Sequence, residues 1–136
     1  MNILVTGGNG LLGSNLINYL SRKKQNKIYV LDKLKKNQKN KNKIKIIKSN
    51  FENFNEVKNV IKKFNINVIF HLGAQTQVLK ALNKPYETLV TNVVGTLNFL
   101  EAIRVINKKI IFIYSSSDKA YGEANKLGYK ESTILG

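Results

Sequence analysis

The sequence predicts an α/β fold, a doubly wound parallel sheet with helices on both faces that breaks off after its fifth strand. Three observations predict it. Five short apolar runs rich in β-branched residues recur along the chain, stretches with helical apolar spacing or loops separate them, and a glycine cluster closes the first run. Asn2-Ile3-Leu4-Val5-Thr6 reads as a buried strand stopped by Gly7-Gly8. Leu12, Leu16, Ile17 and Leu20 then follow a helical period. Lys27–Leu31 is a second strand ending at Asp32, and Ile44–Ile47 a short third one. Val57, Val60, Ile61 and Phe64 share one face of a helix over Glu56–Phe64, and Asn67–Leu72 is a fourth strand. Pro85 opens a long helix from Tyr86 to about Ile106, since proline suits the first turn. Leu89, Val93, Leu97 and Leu100 line one face of it, with Val90, Val94 and Ile103 widening the stripe, and Gly95 implies close packing on a neighbour. Ile110–Tyr114 is the fifth strand, followed by a polar, irregular stretch.

Composition bounds the function. The 136 residues carry 43% hydrophobic side chains, enough for one core and too many for a disordered tail. Cysteine is absent, which excludes thiolate zinc sites, iron–sulfur clusters and cysteine nucleophiles, and the single His71 cannot supply a two-histidine metal site. The N-terminus lacks a basic region before an apolar run, and no apolar stretch approaches the roughly 20 residues that span a bilayer, so a cytoplasmic protein is expected. Of the net charge of +15, +11 lies between Arg22 and Lys48, densest over Lys33–Lys45. Such a run could neutralise phosphates as a nucleic-acid module. It lacks interleaved aromatics, and the lysine bias extends along the whole chain, so a solvated loop is the expected reading.

Gly7-Gly8-Asn9-Gly10-Leu11-Leu12-Gly13 places G-x-x-G-x-x-G between the first strand and a helix. Gly7 allows a tight turn, Gly10 lets backbone N–H groups approach a diphosphate, and Gly13 brings the helix close to the sheet. Asp32 follows Gly13 by 19 residues, at the end of the second strand, where a carboxylate accepts from the adenosine ribose hydroxyls. A carboxylate there repels a 2′-phosphate, so NAD is expected over NADP, against the pull of Lys33, Lys35 and Lys36. His71 ends a strand with no partner base and reads as structural, and no G-x-S-x-G elbow supports a hydrolase.

The glycine spacing, Asp32, His71-Leu-Gly-Ala-Gln75, Thr91-Asn92-Val-Val-Gly95-Thr96 and Ser116-Ser117-Asp118-Lys119-Ala120-Tyr121-Gly122 occur in an order that resembles the N-terminal part of an extended short-chain dehydrogenase/reductase, the NAD-dependent epimerase/dehydratase group. The resemblance covers essentially the whole chain and implies a Rossmann-type NAD-binding domain over residues 1–136. It implies that Gly7, Gly10 and Gly13, with Leu11 and Leu12 at the helix start, hold the diphosphate. Asp32 and Lys33 meet the ribose, and Asn50 and Phe51 the adenine, with Asn50 standing where the family usually has aspartate. Leu72, Gly73, Ala74 and Gln75 line the cofactor, Gly73 replacing the more usual alanine. Asn92 projects from the long helix toward the site, and Ser115 lies near the nicotinamide.

Within that group the Ser116–Gly122 run is similar to nucleotide-sugar 4,6-dehydratases. Lys119 after Asp118 suits the CDP-glucose type, where dTDP-glucose enzymes carry Asp-Glu. Nucleotide-sugar 4-epimerases lack that pair and rank second. The implied chemistry removes a hydride from C4 of the sugar, expels water across C5–C6 and returns the hydride to C6. Ser117 would bond the C4 oxygen, Asp118 would protonate the departing C6 hydroxyl, and Lys119 would assist at C5 or orient Asp118. The family also uses a Tyr-x-x-x-Lys pair after the fifth strand. Tyr19/Lys23 and Tyr29/Lys33 have the spacing but fall in the first helix and second strand, so the chain by itself is expected to bind NAD without turning over a nucleotide sugar. Homodimerisation through a helix bundle is implied for a full-length parent.

Overall fold

The computed structural model describes residues 1–33, 43–122, 128–133 and 135. Five strands, β1 (Asn2–Thr6), β2 (Lys27–Asp32), β3 (Ile44–Lys48), β4 (Val68–His71) and β5 (Ile111–Tyr114), form one parallel sheet in the order β3-β2-β1-β4-β5. Sequence order thus runs outward from β1 to β3, then reverses through β4 to β5. The reversal opens a crevice at the carboxyl ends of β1 and β4, where ligands of such sheets bind. Register places Thr6 beside Leu31 on one side and His71 on the other, so the chemistry-bearing strand ends lie level.

The period-two alternation of β1 sorts the core into two layers. Leu4 points to one face, where Leu31, Phe51, Val57, Ile61, Ile69 and Phe99 pack, while Ile3 and Val5 point to the other, against Ile17, Ile28, Val30 and Val68. Helix α1 (Leu11–Ser21) covers the second face through Ile17. Helix α2 (Phe54–Lys63) and the later helix α5 (Gly95–Ile106) cover the first. Each fully buried aliphatic side chain contributes about 1.5–3 kcal/mol. Asn53 caps α2 by accepting from the Asn55 and Glu56 N–H groups, and Lys62 and Lys63 oppose the dipole at its other end.

Four features differ from the sequence expectation. A short helix α3 (Val78–Asn83) precedes α4 (Pro85–Leu89), and its apolar side chains Val78, Leu79 and Leu82 stay exposed. The long helix is continuous but widens into a π turn at Val90–Val94 between α4 and α5. Its buried side is also not the Leu89, Val93, Leu97, Leu100 stripe, since these four are 47–60% exposed. Gly95, Asn98, Phe99 and Ala102 face the sheet instead. The reason is close approach: a Cβ on Gly95 would stand 2.5 Å from the Phe51 ring, and the Asn98 amide donates to the Phe51 carbonyl at 3.0 Å. The stretch Pro85–Ile106 is also long and apolar enough to cross a membrane by length and composition, contrary to the expectation that no such segment exists. Here it lies along the sheet, anchored through Phe99.

Candidate functional site

A cleft of about 750 Å³ lies at the carboxyl ends of the strands, in the crevice set by the sheet reversal. Its walls include Gly7, Gly10, Leu11, Leu12 and Gly13 from the turn after β1, and Asp32 and Lys33 from the end of β2. Phe51, Leu72, Gly73, Ala74, Gln75 and Ser115 complete it from the loops after β3, β4 and β5. Thirteen of the sequence-derived residues thus converge on one cavity. Thr91, from the Thr91–Thr96 run, also lines it, as do Thr76 and Lys80, which carried no signal in the sequence.

The turn after β1 needs glycine at two positions. Gly7 has φ +64°, and a Cβ there would lie 2.8 Å from the Gly73 Cα. A Cβ on Gly13 would lie 2.3 Å from the Gly7 carbonyl oxygen, so α1 starts in backbone contact with the turn. Gly10 N–H donates to Gly7 O at 3.0 Å, closing the turn just before α1 begins at Leu11. The first N–H groups of α1 have no intrahelical acceptors and face the cleft, a setting that favours an anion. Asp32 is tied to this turn, its Oδ2 accepting from the Asn9 N–H at 3.3 Å.

His71 is 1% exposed and joins the two halves of the crevice. The Leu72 and Gly73 N–H groups donate to Thr6 Oγ1 at 3.1 and 2.9 Å, filling both its lone pairs. The Thr6 proton therefore goes to His71 Nδ1, 2.8 Å away. The ring carries its own proton on Nε2, which donates to Thr96 Oγ1 at 3.1 Å, and the Thr96 hydroxyl donates to the Asn92 carbonyl at 2.7 Å. Burial holds the imidazole neutral, with a pKa lowered to about 4. This chain links β1, β4 and the π turn, and gives the lone histidine a structural role.

Asn50 and Asn92 stand outside the cleft walls. The Asn50 amide is turned to Glu52, accepting from its N–H and donating to Oε2, both at 3.1 Å, so it does not present its edge to the cavity. Asn92 brackets the Gln75 main chain, accepting from its N–H at 2.7 Å and donating to its carbonyl at 2.9 Å. It thereby shapes the wall without forming it. Glu52, which the sequence did not single out, accepts from Lys33 Nζ and Thr91 Oγ1, each at 2.6 Å. Burial raises its pKa, but these bonds and that of Asn50 outweigh it and lower the value to about 2.

Ser117, Asp118 and Lys119 also lie outside the cleft walls, around a 3₁₀ turn (Asp118–Tyr121) after β5. Ser117 caps that turn by accepting from the Lys119 N–H at 3.2 Å. The Asp118 and Lys119 side chains are 63% and 83% exposed and 3.9 Å apart. The densest lysine run falls mainly on residues 34–42, outside the described residues.

A family model for GDP-mannose 4,6 dehydratase matches residues 4–136. The chain is 33% identical to CDP-paratose 2-epimerase of Salmonella typhi over 97% of its length and 41% of that protein. It is 35% identical to dTDP-D-glucose 4,6-dehydratase of Dictyostelium discoideum over 88% of its length and 30% of that protein. Among solved structures, dTDP-glucose 4,6-dehydratase from Bacillus anthracis in complex with NAD superposes with a TM-score of 0.81 at 30% identity, covering 100% of this chain and 44% of that one. The chain therefore spans less than half the length of these relatives.

Proposed function

The chain belongs to the epimerase/dehydratase group of extended short-chain dehydrogenases/reductases, and on that footing we propose that it is the NAD-binding domain of a nucleotide-sugar 4,6-dehydratase. The observation that carries this reading is the cleft that sets the Gly7–Gly13 turn, Asp32 and Ser115 around one cavity. The α1 N-terminus and the N–H groups of the turn hold the diphosphate, whose charge the helix dipole favours. Asp32 accepts from the adenosine ribose hydroxyls. Phe51 and the Leu72–Gln75 segment form the wall along the dinucleotide, held in place by Thr6, His71 and Asn92. When bound, the dinucleotide supplies a reversible hydride acceptor.

The sugar lies beyond Ser115. Ser117 bonds its C4 oxygen, Asp118 delivers a proton to the C6 hydroxyl as it leaves, and the Lys119 ammonium holds Asp118 or assists at C5. Lys119 after Asp118 favours a CDP-glucose type of substrate. A nucleotide-sugar 4-epimerase is the second reading, supported by the likeness to a UDP-glucose 4-epimerase of Mycoplasma genitalium at 28% identity over 98% of this chain and 41% of that protein. In either case the exposed apolar stripe of α4 and α5 serves self-association in a full-length parent, and the setting is the cytoplasm, where NAD and nucleotide sugars are available.

The test titrates the chain with NAD by calorimetry and then incubates it with NAD and CDP-glucose or dTDP-glucose. Saturable NAD binding without a 4-keto sugar is expected, because no Tyr-x-x-x-Lys pair follows β5 in this sequence. A 4-keto product from the chain alone would contradict the division of labour proposed here. Binding that falls steeply with salt and survives substitution of Gly7 and Gly10 would favour a nucleic-acid module instead.

A further inference from the structure

The corner of the cleft that receives the adenosine ribose carries an unexpected charge arrangement. Lys33 directly follows Asp32, and both line the cleft. A lysine beside the ribose 2′ position ordinarily welcomes a phosphate there and works against the carboxylate that excludes it. Here the Lys33 ammonium is not directed at that corner alone. It lies 2.6 Å from Glu52 Oε1, on the wall shared with a second cavity of about 340 Å³ that Glu52, Thr91 and Tyr86 also line. Glu52 is itself fixed from two further sides, by the Thr91 hydroxyl at 2.6 Å and the Asn50 amide at 3.1 Å. Its side chain is 18% exposed, against 52% for Lys33, so the rigid partner is the glutamate and the long flexible amine comes to it.

From this we propose that Glu52 is a cofactor-specificity residue: by holding Lys33 in an ion pair anchored on Thr91 and Asn50, it draws the ammonium away from the ribose corner and disfavours the 2′-phosphate of NADP. The proposal rests on the assignment of the cleft to a dinucleotide. Asp32, Lys33 and Glu52 together carry a formal charge of −1. Glu52→Gln makes these three positions neutral and frees the ammonium, Lys33→Met makes them −2, and the double variant returns them to −1 without Lys33, with Lys80 on the wall unchanged throughout. All other charges of the chain are common to the four proteins, so they cancel from the comparison.

The experiment measures the dissociation constants of NAD and NADP for the wild-type chain, Glu52→Gln, Lys33→Met and the double variant, at one low ionic strength. The ratio of NADP to NAD constants should fall about tenfold in Glu52→Gln, rise several-fold in Lys33→Met, and return close to wild type in the double variant. Raising the salt should compress these differences, because the corner is partly exposed. An unchanged ratio in both single variants, with NAD still bound, overturns the charge lock alone. A fall in the double variant as large as in Glu52→Gln overturns the role given to Lys33. Failure of the wild-type chain to bind NAD strikes the dinucleotide assignment itself, and the lock with it. If Glu52→Gln does not fold, Lys33→Met still decides, since its ratio must rise.

Discussion

The two ends of the crevice are built differently. At the β1 end the geometry is made of backbone and buried groups. Gly7 and Gly13 touch neighbouring main chain, Asp32 is tied to Asn9, and Thr6, His71 and Thr96 pass hydrogen bonds in one direction across two strands and a helix. At the β5 end, Ser117, Asp118 and Lys119 are exposed side chains on a single 3₁₀ turn, with one ion pair of 3.9 Å between them. The first region is completed by residues of this chain. The second offers functional groups whose positions this chain alone does not fix, because exposed ion pairs of that kind are worth little. The β1 end is thus a wall fixed by main-chain contact and buried hydrogen bonds, and the β5 end a set of exposed groups.

That contrast can be broken or sharpened by substitution. The largest effect is expected at Gly13. Gly13→Val places a side chain into the Gly7 carbonyl, and should cost about 3 kcal/mol or more by denaturant unfolding and abolish NAD binding. Full stability in that variant would mean the turn is not packed as described. His71 comes next, through pH. Its pKa in the native state, about 4, lies below the ordinary 6.5. The unfolded chain therefore takes up a proton that the native chain refuses as pH falls from 6.5 toward 4. Stability attributable to His71 is fully present above pH 6.5 and declines through that window by up to about 3 kcal/mol, since each pH unit is worth about 1.4 kcal/mol. His71→Phe should flatten this segment of the stability profile while costing roughly 1–3 kcal/mol at pH 7, because the Thr6 proton loses its acceptor. A profile of unchanged slope would contradict the buried neutral ring.

Asp32→Asn is expected to weaken NAD about tenfold, as charge-assisted bonds to the ribose become neutral ones. The smallest effects belong to the other end. Asp118→Asn and Lys119→Ala should change stability by less than about 0.5 kcal/mol and NAD affinity by less than about twofold. A large loss in either would show that the turn after β5 is part of the cofactor site after all.

The strands were legible because each is an apolar, β-branched run ended by Gly or a polar residue, as a sheet covered on both faces requires. The Gly7–Gly13 turn and Asp32 were legible because their spacing is local. What escaped the sequence depended on partners far along the chain. Thr6 looks like an ordinary strand end until it meets His71, 65 residues later. Glu52 is one of a few acids until it meets Lys33 and Thr91. Asn50 and Asn92 have side chains suited to a cofactor edge, but both are spent on main chain or on Glu52, and no local rule foretells that. The long helix misled for a different reason. It has an apolar stripe on one side and a small-residue face at Gly95 and Ala102 on the other, and close approach to Phe51 decided between them.

The central claim is that a dinucleotide diphosphate sits on the backbone of the Gly7–Gly13 turn while Asp32 holds the ribose. Hydrogen–deuterium exchange with and without saturating NAD tests it at the level of single segments. Slowed exchange at the amides of residues 8–13 and 72–75, with little change over β3 and α2, is the expected result. Binding that protects other segments and leaves the glycine turn exchanging at its free rate would contradict it.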